Sequence, residues 1–77
     1  MKDLATAVLE TLRDRGELTF YRLDPIIQHQ GYVVGIPLAR VINTLEHDGL
    51  IAIEKRGDHS YYSITARGLK ELQSRAN

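Results

Sequence analysis

Arg40, Asn43, Thr44 and His47 lie three and four residues apart, so on a helix they share one side. An arginine guanidinium can pair with the two acceptors of guanine and an asparagine amide with adenine, while threonine and histidine can bond to a base edge or a phosphate. A second cluster, Lys55, Arg56, His59 and Tyr61, brings cations suited to phosphates or the minor groove, together with an aromatic ring directed opposite to Tyr62. Glu54 and Asp58 stand among these residues and offset much of the attraction. A solvated helix face and a solvated hairpin account for the same residues. Arg56-Gly57-Asp58 also spells a cell-adhesion tripeptide, and here it is read as turn chemistry.

Other chemistries find little support. His29, His47 and His59 are separated by 18 and 12 residues, without the short spacing of helical or knuckle zinc sites, and there is no cysteine, so no metal site is expected. Ser60, Ser63 and Ser74 lie outside any nucleophile-elbow pattern. Gly31 and Gly35 are not followed by the lysine and hydroxyl residue of a phosphate loop. The expectation is a protein that is not an enzyme and takes no cofactor.

The 77 residues suffice for one hydrophobic core, so a single domain over 1–77 is expected. A hydrophobic fraction of 43% supports that core. Asp3, Glu10 and Arg13 interrupt the N-terminal region, which argues against a secretory signal or membrane span and for a cytoplasmic protein. Ten basic residues balance ten acidic ones, so no long-range positive field points to nucleic acid. Four basic and five acidic residues precede Gly35, and six basic and five acidic follow it.

The elements that must position the two clusters follow from periodicity and punctuation. Leu4, Ala5, Val8, Leu9 and Leu12 predict a first helix from Asp3, closed by Gly16. Glu17 and Leu18 predict a short strand, after which the Thr19 side chain caps the next turn. Pro25 leaves two versions of the second helix open. Either Asp24 caps a short helix from Pro25 to about Gln30, with Phe20–Leu23 a separate turn, or the helix begins earlier and kinks. Pro37 opens a third helix with Leu38, Val41, Ile42 and Leu45 inward, Arg40, Asn43 and His47 outward, Thr44 at the edge and Gly49 as stop. Strands over 50–55 and 60–64 turn Ile51, Ile53, Tyr62 and Ile64 inward around a loop formed by Arg56-Gly57-Asp58-His59. Thr65 caps a last helix with Leu69 and Leu72 on its apolar side.

Leu45-Glu46 and Gly49-Leu50-Ile51 at the close of the third helix, with Tyr61-Tyr62, Thr65 and Gly68 leaving the hairpin, resemble the PadR-like and MarR-like winged helix-turn-helix regulators over nearly the whole chain. Where PadR-like proteins commonly carry Gly-Thr-Leu-Tyr-Pro, this chain has Ile36-Pro37-Leu38-Ala39-Arg40 and shares only the leucine. The resemblance implies a mainly α fold with a small β-hairpin, ordered helix, short strand, helix, helix, two-stranded wing, helix. It also implies a small transcriptional regulator that binds double-stranded DNA in a sequence-specific manner. On that reading helix 36–48 is expected to read the major groove and the wing 54–61 to contact the backbone, while a homodimer must rely on the first and last helices or be absent. The alternative is a protein-binding winged-helix module, which the zero net charge favours. An exposed apolar patch around Tyr32, Val33, Val34 and Ile36 would mark it.

Overall fold

The computed structural model describes residues 2–76. Its elements are α1 (Leu4–Arg15), β1 (Leu18–Thr19), α2 (Phe20–His29), α3 (Ile36–His47), β2 (Ile51–Arg56), β3 (His59–Ile64) and α4 (Ala66–Ala76). The expected order of elements is present, with a third strand added to the hairpin. β1 pairs antiparallel with β3, giving the sheet order β1-β3-β2.

α1 starts where the Asp3 carboxylate accepts a hydrogen bond from the Thr6 amide at 2.8 Å. Hydrogen bonding from Thr6 holds that carboxyl below its ordinary pKa, and the nearby Arg75 charge adds to the effect. Val8 and Leu9 are fully buried, with Ala7 and Leu12 at 1% exposure. Thr11 shares this buried face because its hydroxyl is satisfied twice: it donates to the Ala7 carbonyl at 2.8 Å and accepts from the Gln30 amide at 3.0 Å.

α2 resolves the two readings of Pro25 in favour of the earlier start. The helix runs unbroken from Phe20 with Pro25 inside it, and Thr19 occupies the cap position without a side-chain hydrogen bond, contrary to the expected cap. A continuous helix puts Leu23 and Ile27 one turn apart on a single face, and both are completely buried. That burial offsets the one backbone bond proline removes, the bond to the Tyr21 carbonyl. Asp24 serves the following turn instead, accepting from the Gly35 amide at 3.3 Å.

α3 begins at Ile36, one residue before Pro37, and buries Leu38, Ile42 and Leu45, with Val41 partly covered. It ends in a Schellman motif. The Gly49 amide donates to Glu46 at 3.0 Å and the Leu50 amide to Leu45 at 2.9 Å, which requires the positive φ of 77° at Gly49. The same turn aims β2 back along the molecule and buries Leu50 beside Leu45.

The hairpin is tighter than the expected four-residue loop. Arg56 and His59 are a registered strand pair, leaving only Gly57 and Asp58 in the turn. Gly57 has φ 60° and Asp58 a negative φ, the sign pattern of a type II′ turn. Leu18 faces Tyr62 and Thr19 faces Tyr61, so β1 covers the outer edge of β3. β1 is shifted one residue from the expected Glu17–Leu18, because the residues that pair with β3 are Leu18, opposite Tyr62, and Thr19, opposite Tyr61.

Thr65 couples both halves, accepting from the Gly68 amide at 3.0 Å and donating to the Gly49 carbonyl at 2.7 Å. Gly68 sits against the Leu50 backbone so closely that an added Cβ would overlap the Leu50 carbonyl oxygen. This close approach makes Leu72 the buried residue of α4, while Leu69, expected to share its apolar side, stays 41% exposed. Leu72 completes a core built with α1, α2, α3, Leu18 and Ile51. Among the described residues no helix is long and apolar enough to cross a membrane.

Candidate nucleic-acid interface

Burial of Leu38, Ile42 and Leu45 fixes the rotation of α3 and therefore what it shows to solvent. Arg40, Asn43, Thr44 and His47 are all exposed on the opposite side. Thr44 donates to the Arg40 carbonyl at 3.1 Å, which orients its hydroxyl yet leaves a lone pair free to accept. Arg40 and Thr44 border a shallow hollow with Asp48, Ala5 and Arg75, along the seam where α3 meets the terminal helices. No ion pair among the described residues involves Arg40.

Ile36 extends this stripe toward the helix start. It precedes Arg40 by one turn and is 71% exposed. The sequence grouped Ile36 with Tyr32, Val33 and Val34 as one apolar patch, and the structure divides that group. Tyr32 and Val34 pack against the core, and the Tyr32 hydroxyl donates to the Lys2 carbonyl at 2.7 Å, whereas Val33, 74% exposed, and Ile36 stay in solvent.

The four wing candidates separate in the same way. Lys55 and His59 are exposed near the tip. Arg56, in contrast, donates to Glu17 at 2.6 Å and to Glu54, and its guanidinium lies 4.5 Å from the centroid of the Tyr61 ring. Donating to the Glu54 and Glu17 carboxylates raises the Arg56 pKa, and the bond from Arg56 lowers that of Glu54. Tyr61, expected to stand exposed, is half-buried under Arg56 and is flanked by Thr19 and Glu54. Arg56 and Tyr61 thus brace the wing against the loop after α1. Nothing local announces Glu17 as their partner, since it lies 39 residues away in the chain.

The ion pairs also redistribute a charge that sums to zero. Lys2, Arg13, Arg56 and Arg75 are paired with Asp3, Glu10, Asp14, Glu17, Glu54 and Glu71, four cations with six anions. Subtracting these from ten of each sign leaves six cations, Arg15, Arg22, Arg40, Lys55, Arg67 and Lys70, against four anions. Among the described residues this excess of two cations outside the pairs is matched by the excess of two anions within them, so the side-chain charges remain balanced overall. Arg22 is one of the cations outside the pairs, exposed beside Tyr21 in the first turn of α2, a position that the early start of that helix creates.

Four helices with a three-stranded antiparallel sheet, its hairpin following the third helix, define a winged helix. No protein-family model and no curated protein sequence matches the chain. Among solved structures it is similar to BpsR of Bordetella bronchiseptica, whose DNA binding is regulated by 6-hydroxynicotinic acid, with a TM-score of 0.84 and 18% identity. That match covers 99% of this chain and 53% of BpsR, so this chain spans about half of that protein. It is similar also to a transcriptional regulator from Clostridium thermocellum, Cth-833, with a TM-score of 0.81 and 24% identity over 95% of this chain and 76% of that one. F93 from STIV, a winged-helix DNA-binding protein, matches with a TM-score of 0.79 and 23% identity over 92% of this chain and 80% of F93. Likeness at these identities establishes the winged-helix fold.

Proposed function

We propose that this chain binds double-stranded DNA in a sequence-specific manner as a small transcriptional regulator. α3 reads base edges in the major groove and the wing contacts the backbone. The observation that carries the reading is the exposed side of α3, where Arg40, Asn43, Thr44 and His47 face solvent on a helix whose other side is locked into the core. The regulators and DNA-binding protein with the same fold support it. On this reading the chain is not an enzyme. It works in the cytoplasm and shares PadR-like kinship through Leu45-Glu46, Gly49-Leu50-Ile51 and the residues leaving the wing. A homodimer through α1 and α4 doubles the half-site and so strengthens binding.

Selection from a random duplex library at two salt concentrations tests the proposal. A recovered motif is expected, with log affinity falling steeply against log salt as counterions are released. Undetectable or salt-independent binding overturns it.

A further inference from the structure

Ile36, Arg40, Asn43 and His47 follow one another at intervals of four, three and four residues, which places them within roughly 60° of one another around α3. The first is a large apolar side chain at 71% exposure, held in the first turn of a helix whose inward face is already filled by Leu38, Ile42 and Leu45. The core therefore makes no use of Ile36. The remaining members of the stripe are the hydrogen-bonding residues of the proposed interface, so whatever meets Arg40 and Asn43 also meets Ile36.

An apolar group in such a stripe has one matching feature in the major groove, the C5 methyl of thymine, since every other exposed base-edge group is a hydrogen-bond donor or acceptor or a bare C–H. Residues near the start of a recognition helix are the ones directed at base edges. We infer that Ile36 reads a thymine methyl next to the base contacted by Arg40, making it a specificity-determining residue. This inference rests on the DNA-binding reading above. Its energetic consequence is modest and local: burying one methyl against Ile36 favours thymine over uracil about 3- to 5-fold.

The test uses the full chain and the duplex motif recovered by selection. Each thymine is replaced in turn by deoxyuridine, which removes the methyl and keeps the hydrogen-bonding edge. One position per half-site is expected to lose about 3- to 5-fold in affinity. Ile36→Ser should abolish that difference between thymine and uracil, Ile36→Val should keep most of it, and Tyr21→Ala, at a large exposed side chain on α2, should leave it unchanged. Circular dichroism on heating confirms that each variant is folded. Affinity insensitive to uracil at every position overturns the inference, as does a thymine preference that survives in Ile36→Ser. Concentration-dependent self-association that Ile36→Ser removes, without a thymine preference in the parent, assigns the residue to a second copy of the chain and also overturns it. Failure of the parent protein to select any duplex is a separate outcome, and it overturns the DNA-binding reading itself.

Discussion

Gly68 shows how a single hydrogen atom can be a structural requirement. Its φ is negative, so backbone strain does not call for glycine; space does, because the Leu50 carbonyl and the Ile64 side chain occupy the position of any Cβ. Gly68→Ala must push α4 away from the turn after α3, and a cost of about 3 kcal/mol is expected, read as a lower urea midpoint. Arg40 is the opposite case, a residue whose removal the fold should hardly notice. It is exposed and has no ion-pair partner among the described residues, so Arg40→Ala should leave the urea midpoint in place. On the proposed function it should weaken binding to the selected duplex by about 1–3 kcal/mol and relax preference at one base pair. Equal loss on selected and random duplexes would assign Arg40 to phosphate contact. The residue types of both sites were legible in the sequence, but only the surroundings separate a glycine that must be small from an arginine that is free to act.

Elements differ in how locally they are determined. α1 was readable because its cap, apolar spacing and glycine stop lie within one short segment. Its cap carries a pH dependence whose sign follows from Asp3. Hydrogen bonding from Thr6 lowers the folded-state pKa below that of the unfolded chain, so the stabilisation is present above the ordinary carboxylate range and is lost as pH falls through the folded value. Asp3→Ala should therefore cost about 1 kcal/mol at neutral pH, with the gap to the parent closing in acid, as measured by thermal unfolding across pH. α2 was harder to read because Pro25 is compatible locally with a helix start or a kink. The choice was made by Leu23 and Ile27, which only a continuous helix buries together. The wing lies between these cases. Its turn chemistry is local, but the engagement of Arg56 by Glu17 depends on β1 closing the sheet edge. Lys55→Ala should lower the slope of log affinity against log salt by about 1, whereas Arg56→Ala should change it less and chiefly speed amide exchange at the tip. A larger slope change for Arg56 would mean that DNA displaces its carboxylate partners.

At the scale of the molecule, four helices and a sheet share one core, and the terminal helices lie side by side. Leu69 remains 41% exposed on α4 after Leu72 is buried, leaving an apolar group on one of the two helices proposed to form the homodimer. Sedimentation across concentration should show a dimer that Leu69→Arg shifts toward monomer, together with weaker binding to two-fold symmetric duplexes. A parent that remains monomeric throughout would remove the dimer from the proposal. The sequence by itself determined the order of elements, the inward side of α3, the Gly49 stop and the set of candidate contact residues. Each of these follows from short-range periodicity, capping and turn chemistry. Tertiary structure decided that β1 completes the sheet, that Pro25 stays inside α2, that Arg56 and Tyr61 brace the wing, and that Tyr32 turns to the core while Ile36 stays exposed. Those outcomes depend on partners such as Glu17 and Arg56, 39 residues apart in the chain. Local spacing carries no record of such pairings, because they exist only once the common core has brought distant segments together.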